Sequence, residues 1–466
     1  MRPADNDLIK TMNYITIDYL SDLTAQQMLA ARTLTFTPIG SKDSSGLDAS
    51  ASFNNYGGAQ IQNDLFSFTG VANVEYDVFS NSTREPSTIT LYDHAGNVIA
   101  IDNEKSTDIA DGHDFLSNFM APYSGTYYVA AGWTHIMPDP YLSLTVYADL
   151  DPVRAPVNTL RAAPGDDTWW STYSNDIGDA GDGFDTIRYS GTRGDFNIVS
   201  AADGLTLTSR FGTEGIDTLK NVEKIDFFGD NDVDMTYIGL TQALYVGYFG
   251  RPADVGGLKS FQSQLAALGA PESVREFSAR YATDAAVKNL IDSFGTSAES
   301  NALYAGDNKT FVKAIFSNLL NRAPSLSGLE FWSAAIDSGE LTRANASLSI
   351  MAGALANTSI QGQNDARLVE AKIYVASNFT FALESDSFDA AYEGAGAATI
   401  ARNLLGTVSS GTDPNAFQPS VYQAILKLPQ LPPAALAQPG EQPWAAQPEA
   451  LPIMLTGMAS SLDGAA

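Results

Sequence analysis

The sequence predicts a multidomain protein of the β plus α class, with an antiparallel β-sandwich, a small β module and then an all-α helical bundle that contains an internal repeat. Apolar residues alternate with polar ones in the first half of the chain, and near residue 239 their spacing becomes helical. The segment "YFGRPADVGGLKSF", which begins at Tyr248, returns in altered form as "LLNRAPSLSGLEFW" at Leu319. A chain of 466 residues accommodates about two to four domains.

Short runs of alternating apolar and polar residues predict the β-sandwich over residues 46–150. The run "YLSLTVYAD" (141–149) has the two-residue period of a half-buried strand. The turn "DHAGN" separates two other apolar runs, and we expect Gly96 or Asn97 to take positive φ there. Residues 1–45 precede the sandwich, and the sequence assigns them no role.

Four segments of this region resemble a known family. In order they are "NDLFSFTGVANVEYDVF", "ITLYDHAGNVIAIDNE", "DFLSNFMAPYSGTYYVAAG" and "YLSLTVYA". Together they resemble the bacterial pre-peptidase C-terminal sandwich domain. The resemblance implies a non-catalytic appendage of a secreted protein, and some domains of this family bind calcium or polymers.

Residues 160–238 are predicted to form a small β module rich in Gly and Asp. The sequence "GFDTI" begins at Gly183, and the related "GIDTL" begins at Gly215. The region resembles the short β module that lies beside calcium-binding nonapeptide repeats in type I secreted proteins. Its segment "AGDGFDTI" (180–187) fits the repeat pattern G-G-x-G-x-D-x-U, with Ala in place of the first Gly.

This repeat-like segment predicts a calcium site. Gly181 and Gly183 allow a tight turn, Asp185 supplies a carboxylate, and Ile187 points into the β core. Calcium takes six to eight oxygen ligands, so neighbouring carboxylates are needed to complete its shell. The candidates are Asp179 and Asp182, with Asp166, Asp167 and Asp176 just upstream. The alternative is an acidic loop that binds no ion.

The sandwich carries a second candidate calcium loop, "IDNEKSTDIADGHDF" (101–115). Its hard oxygen ligands lack the fixed spacing of an EF-hand. The predicted ligands are Asp102, Asp108, Asp111 and Asp114.

Residues 239–408 are predicted as a helical bundle built from two helix–turn–helix units. The apolar stripe Leu240, Leu244, Tyr245, Tyr248 and Phe249 returns in the second unit as Phe311, Ile315, Phe316, Leu319 and Leu320. Pro252 and Pro324 interrupt the helices, and Gly-Leu begins the next helix in both units. We expect Phe261 and Trp332, at equivalent positions, to lie in the core.

The helical region also resembles a family. The segments are "LYVGYFGRPADVGGLKSF", the second copy of this repeat around Leu319, and the closing run "AKIYVASNFTFAL…YEGAGAATIARNLLGTV". They resemble the helical family known as domain of unknown function 4214, found in surface-layer and other type I secreted proteins. In the surface-layer members such a region is implied to hold the protein to the outer polysaccharide of the cell. The second copy departs from the pattern, with "NRAPSLSG" in place of "GRPADVGG".

Residues 409–466 are predicted as a Pro-rich tail. It ends in "IMLTGMASSLDGAA", which is typical of an uncleaved C-terminal secretion signal, with a frayed terminus as the alternative. Residues 1–20 lack the basic and apolar regions of a Sec signal peptide, and no stretch approaches the roughly 18 apolar residues of a membrane helix. We therefore expect a protein that does not span a membrane and whose export signal lies at its C-terminus.

Charge and composition exclude or disfavour several classes of partner and of catalytic chemistry. The formal net charge is −28, which disfavours nucleic acid and anionic lipid as partners and suits divalent cations, although solubility alone also explains it. There is no cysteine, so disulfides and thiolate chemistry are excluded. No HExxH, G-x-S-x-G or P-loop motif occurs, and His94, in a turn, is expected to be solvated. A glycosidase-type carboxylate pair remains open.

These features lead to one hypothesis and two alternatives. The sequence favours a non-enzymatic, calcium-associated protein, exported by a type I system, that is extracellular or bound to the bacterial cell surface. Its expected partners are cell-surface polysaccharide or other copies of itself. The first alternative is a non-catalytic accessory component of a secreted hydrolase. The second is a polysaccharide-binding adhesin, which exposed aromatic residues beside Asp or Asn would favour.

Overall fold

The computed structural model describes fourteen stretches of the chain. They are residues 23–38, 49–56, 63–71, 74–82, 87–96, 98–102, 113–122, 124–133, 141–149, 157–172, 174–210, 214–229, 232–385 and 388–429. The chain divides into two compact units. Unit 1 comprises residues 1–154 and 210–213, and unit 2 comprises residues 155–209 and 214–466. The predicted β module and the predicted helical bundle therefore share one unit.

The described residues of unit 1 form two five-stranded sheets and one short helix, in agreement with the predicted sandwich. The helix is α1 (Ala25–Ala30), and the strands are β1 (Arg32–Thr33), β2 (Thr37–Pro38), β3 (Ala49–Tyr56), β4 (Asn63–Gly70), β5 (Glu75–Ser82), β6 (Ser87–Tyr92), β7 (Val98–Asp102), β8 (His113–Met120), β9 (Gly125–Trp133) and β10 (Tyr141–Asp149). The strand orders are β1-β4-β9-β6-β7 and β2-β3-β10-β5-β8. All strand pairs are antiparallel except the short β1–β4 pair.

The alternating pattern places every second side chain in the core of unit 1. In β10, Leu144 and Val146 are fully buried. An aromatic cluster fills the interior, in which the rings of Phe68 and Tyr127 stack with centroids 5.7 Å apart. The predicted hairpin turn joins β6 to β7, and Gly96 takes a φ of +87° as expected.

The β strands of unit 2 form two further sheets. They are β11 (Val157–Thr159), β12 (Thr168–Trp170), β13 (Asn175–Asp179), β14 (Thr186–Arg188), β15 (Phe196–Ala201), β16 (Gly204–Ser209), β17 (Ile216–Lys220), β18 (Lys224–Asp226) and β19 (Val233–Asp234). Strands β11, β13 and β17 pair in parallel in one sheet, and β12, β14 and β18 pair in parallel in the other. Successive strands alternate between the two sheets, so these six strands form a parallel arrangement of three rungs, which we call the solenoid.

A β-hairpin interrupts the solenoid between its second and third rungs. Strands β15 and β16 pair antiparallel with each other, and β16 pairs antiparallel with β17. The hairpin thereby extends the first sheet to the order β11-β13-β17-β16-β15.

The helical part of unit 2 begins directly after β19. Its helices are α2 (Ile238–Phe249), α3 (Val255–Ala267), α4 (Val274–Arg280), α5 (Ala285–Gly295), α6 (Ala298–Leu303), α7 (Asn308–Leu320), α8 (Leu326–Asp337), α9 (Arg343–Ala356), α10 (Ile360–Ser385), α11 (Gly394–Gly406) and α12 (Pro414–Ile425). Helix α12 lies beyond residue 408, where the sequence predicted the start of the tail. Asp413 caps it, Pro414 occupies its first turn, and Val421 and Ile425 are buried.

The helical repeat is visible in backbone detail. Gly250 caps the C-terminus of α2 and Asn321 caps that of α7. Both residues are in the left-handed conformation, with φ of +64° and +50° respectively. The following helices begin at the equivalent caps Asp254 and Ser325, whose side chains accept the N–H groups of glycines three residues later. Each copy is therefore a helix, a tight turn and a second helix, as predicted.

The hairpin packs against the helical region within unit 2. The Asn378 amide of α10 accepts the Ser200 N–H at 2.7 Å and donates to the Ser200 carbonyl at 3.1 Å. Arg193 donates to the Phe381 carbonyl at 2.9 Å, and the Tyr422 hydroxyl donates to Asn197 at 3.1 Å. In the described ranges, no helix combines the length and apolar character needed to cross a bilayer.

Candidate functional site

Two turns stack on one another at one end of the solenoid rungs. They connect β11 to β12 (residues 163–167) and β13 to β14 (residues 181–185). The Phe184 N–H donates to Asp166 Oδ1 at 2.9 Å across the 18-residue interval between rungs. Gly183 has a φ of +154°, and a Cβ there would lie 2.6 Å from the Gly165 carbonyl oxygen. Glycine therefore permits the close approach of the two turns.

A nine-residue repeat of polar side chains runs through the solenoid. It comprises Asn158, Asp167, Asp176 and Asp185. After the hairpin the corresponding positions of the third rung are held by Asp217 and Glu223, which are six residues apart. In three cases the side chain accepts the backbone N–H of the equivalent residue one rung earlier. These bonds are Asp167 N–H to Asp185 Oδ1 (2.7 Å), Asp176 N–H to Asp217 Oδ1 (2.8 Å) and Asp185 N–H to Glu223 Oε2 (2.8 Å). Asp185 was predicted from the glycines that precede it, and Asp167 and Asp176 were named as carboxylates that could complete the shell. The nine-residue spacing links these three, but it does not extend to Asp217 and Glu223, which the sequence analysis missed.

Asp185 differs from the other members of this ladder. Its residue is 1% exposed, and its Oδ2 atom is buried with no hydrogen-bond partner. No Lys or Arg of the described part of unit 2 pairs with this carboxylate, and Glu223 brings a second carboxylate against its N–H. Burial raises the pKa of Glu223, and the Asp185 charge adds to that rise. A buried anionic oxygen without a donor is costly, so this position is suited to a cation.

Of the predicted ligands of this calcium site, Asp185 is buried at the stacked turns, whereas Asp179 and Asp182 are exposed. Asp185 faces the stacked turns together with Asp167, whereas Asp179 is exposed and accepts the Asn221 amide N–H at 2.6 Å. Asp182 is exposed in its turn. Across the described stretches, no three Asp, Glu or His side chains are arranged as a metal site. A cation at Asp185 would therefore take backbone carbonyl oxygens of the turns as further ligands, which calcium accepts.

The opposite ends of the rungs hold a second acidic cluster, in which every carboxylate has donors. Asp176 is fully buried and accepts from the Asn158 amide at 2.8 Å and from the Thr172 N–H at 2.7 Å. Asp217 accepts the Tyr189 hydroxyl at 2.5 Å. Glu214 accepts the hydroxyls of Ser171 and Ser190.

Burial dominates the electrostatics of this second cluster. It raises the pKa of Asp217 to about 7, against the lowering effect of the Tyr189 hydrogen bond. The pKa of Tyr189 lies well above its ordinary value, because of burial and then the Asp217 charge. Hydroxyl groups here occupy the positions around the carboxylates that a cation would otherwise need, so we do not assign a cation to this cluster.

The second predicted calcium loop is described only at its ends. Asp102 is the last residue of β7, and Asp114 is the second residue of β8. Asp108 and Asp111 lie outside the described residues, as does the predicted export signal.

The structure gives definite positions to four aromatic side chains and one histidine. Trp169 is buried in the solenoid, whereas Trp170 is 64% exposed. Phe261 is buried as predicted, and its ring contacts those of Tyr245 and Phe294. Trp332, in contrast, is only half-buried, and its ring contacts the exposed Phe331. The expectation of a solvated His94 was wrong: the side chain is half-buried in its turn, and burial lowers its pKa to about 4.

Comparison with known proteins identifies one region of unit 2. Residues 291–355 match the family model described as a domain of unknown function (DUF4214). The matched stretch runs from the end of α5 to α9 and is centred on the second copy of the repeat. No curated protein matches the chain.

Two solved structures show low similarity. One is the pre-peptidase C-terminal domain of collagenase from Bacillus anthracis, with 18% identity, 22% of this chain and 90% of that chain covered, and a TM-score of 0.16. The other is a periplasmic inhibitor of g-type lysozyme from Aeromonas hydrophila, with 13% identity, 25% and 96% coverage, and a TM-score of 0.14. TM-scores this low carry no argument about function.

Proposed function

We propose that the chain is a non-enzymatic, calcium-associated structural or binding protein of the bacterial cell surface or extracellular space. The observation that carries this proposal is the buried Asp185 carboxylate, with one oxygen unpartnered between two stacked turns. A cation bound there would compensate its charge and tie the first rung of the solenoid to the second. Asp185, Asp167 and the carbonyl oxygens of residues 163–167 and 181–185 are the proposed ligands.

Calcium is the proposed cation because of the ligand chemistry and the charge of the chain. Carboxylate and carbonyl oxygens in flexible turns suit calcium better than magnesium, which demands near-ideal octahedral geometry. Calcium is scarce in the cytosol and abundant outside the cell, so a net charge of −28 would be partly neutralised only after export. Export by a type I system accords with this coupling of folding to compartment, because a ligand that binds only the folded state stabilises it.

Attachment to a surface or polymer is assigned to the helical region, which has an uncovered apolar helix. In α8, Leu326 is 73% exposed and Phe331 is 63% exposed. The equivalent of Leu326 in the first copy, Val255, is buried. An uncovered row of large apolar side chains supports a contact with polysaccharide or with another copy of the chain.

The accessory role in a secreted hydrolase remains the alternative with least support, since it requires a catalytic partner on another chain. The adhesin alternative is supported by the exposed Trp170.

Thermal unfolding tests the calcium proposal. The full chain is melted in EDTA, in millimolar calcium and in millimolar magnesium, with far-ultraviolet circular dichroism as the readout. At a calcium concentration of 100 times Kd the stabilisation is about 2.7 kcal/mol, which raises the melting temperature by several degrees. Magnesium should give little change.

A matched control variant tests whether the response to calcium depends on the Asp185 site or on the negative charge of the chain in general. Asp203→Asn removes an exposed carboxylate from the turn between β15 and β16 and should keep the full response to calcium. A wild-type melting temperature that is the same in EDTA and calcium would rule out the proposal.

A further inference from the structure

The outer face of the second solenoid sheet carries three residues in register. Trp170 of β12 pairs with Arg188 of β14, which pairs with Asp226 of β18. The Arg188 guanidinium carbon lies 5.4 Å from the centre of the Trp170 ring, and its Nε donates to Asp226 Oδ2 at 2.8 Å. An aromatic ring, a guanidinium and a carboxylate therefore form one continuous row across the sheet.

The Trp170 ring is available to a ligand. Strand β12 is the edge strand of its sheet, and the indole is 64% exposed while the adjacent Trp169 is buried in the solenoid. Arg188 stacks over the ring and holds it beside the sheet. An exposed indole beside an Arg–Asp ion pair offers a ligand an apolar surface next to hydrogen-bonding groups.

The charges on this face balance one another. Arg188 is paired with Asp226, and Lys224, on the same face two residues before Asp226, is paired with Asp232 at 2.6 Å. Neither cation is free to attract an anionic polymer, and the chain as a whole carries a net charge of −28 that repels one. The complementary ligand is uncharged, with an apolar face for the indole and hydroxyls for the Arg–Asp pair.

We propose that the row Trp170–Arg188–Asp226 is a binding site for a neutral polysaccharide. One face of a pyranose ring presents C–H groups that pack on an indole, and its hydroxyls both donate to a carboxylate and accept from a guanidinium. Thr168 and Thr186 lie on the same face and add hydroxyl groups beside the row. This inference rests on the proposed surface-attachment function and places a polysaccharide-binding site on the solenoid instead of on the helical region.

The test is retention of the full chain by defined polymers in millimolar calcium. The probes are microcrystalline cellulose, chitin and, in affinity gel electrophoresis, dextran and laminarin, with alginate as the anionic comparison. The wild type should be retained by at least one neutral polymer and not by alginate. Trp170→Ala should weaken that retention about tenfold, which corresponds to about 1.4 kcal/mol, and Trp170→Phe should keep part of it.

Val157→Ala is the matched control, because it removes an apolar side chain that is equally exposed, at 64%, from β11, the edge strand of the other solenoid sheet. Both alanine variants should melt like the wild type, since both side chains are largely exposed. Equal retention of the wild type and Trp170→Ala, or no retention of the wild type by any neutral polymer, would overturn the inference. Phe331→Ala, which truncates an exposed side chain of α8, distinguishes the two attachment surfaces. Loss of retention in Phe331→Ala but not in Trp170→Ala would overturn the inference and leave attachment through the helical region intact.

Discussion

At the scale of residues, the solenoid uses a carboxylate at the start of a strand in two different ways. Asp185 directly precedes β14 and Asp217 is the second residue of β17, and each accepts a backbone N–H from the rung before. The second oxygen of Asp217 accepts the Tyr189 hydroxyl, whereas the second oxygen of Asp185 has no donor. A single hydroxyl therefore separates a position satisfied by the protein from a position suited to a cation.

The buried Asp217 makes a testable contribution to pH dependence. Its pKa is about 7 in the folded protein against an ordinary 3.8, so folding takes up a proton between these values. The stabilising contribution is complete below pH 3.8 and is lost as the pH rises through about 7. In EDTA, the free energy of unfolding of unit 2 should fall from pH 5 to pH 8 by an Asp217 contribution on the order of 2–3 kcal/mol.

The Asp217→Asn variant should remove most of that fall, because its side chain does not ionise and its Oδ1 still accepts the Asp176 N–H. Urea unfolding at pH 5 and pH 8 measures the difference. Asp203→Asn, which changes an exposed carboxylate, should keep the wild-type dependence. If Asp217→Asn shows the same fall as the wild type, Asp217 does not titrate in this range.

Part of the cation site could be predicted from the sequence. Asp185 was predicted because glycines beside it mark a tight turn, but Asp179 and Asp182 are exposed and make no contact with Asp185 in the described region. Asp167 was named only as a neighbour, and Glu223 was not identified. Their proximity depends on the rise of one rung over another, which a linear pattern does not contain.

At the scale of elements, the two copies of the helical repeat share a backbone and differ in what covers them. The apolar residues Val255, Leu258, Phe261 and Leu265 of α3 are all buried. Their equivalents in α8 are Leu326, Leu329, Trp332 and Ile336, and each is half-buried or exposed. The sequence predicted the equivalence of the helices, but not that the apolar residues of α3 would be buried while those of α8 would not.

Alanine substitution at equivalent positions should distinguish the two copies. Phe261→Ala empties a core position beside Tyr245 and Phe294 and should cost about 3–5 kcal/mol. Trp332→Ala removes a larger but half-buried side chain and should cost less than half as much. Urea unfolding of both variants under one condition provides the comparison, and equal costs would mean that α8 is covered in solution.

The strands of the sandwich and the helices were predicted because each has a regular apolar period. The parallel pairing of the solenoid was not, because the hairpin β15–β16 interrupts the repeat between Asp185 and Asp217. The segments "GFDTI" at Gly183 and "GIDTL" at Gly215 lead into strands of different sheets, β14 and β17, and the hairpin lies between them. Their spacing therefore does not display the nine-residue interval between successive strands.

At the scale of the whole molecule, unit 2 joins the solenoid to the helical region through specific polar contacts. Asn378 and Ser200, 178 residues apart in sequence, exchange two hydrogen bonds at a fully buried amide. No sequence pattern links these residues, so their contact could not be predicted. A substitution that destabilises the β part of unit 2 should therefore also lower the free energy of unfolding of the helices that pack on it.

The most direct test of the central claim is the melting temperature of the wild type and of Asp185→Asn, each in EDTA and in millimolar calcium. In EDTA the variant should melt higher than the wild type, because an amide N–H can donate to a turn carbonyl oxygen where a buried charge had no partner. In calcium the wild type should rise by several degrees and the variant should not, so the order of the two proteins reverses. An equal calcium response in both proteins, or none in the wild type, would contradict a cation site at Asp185.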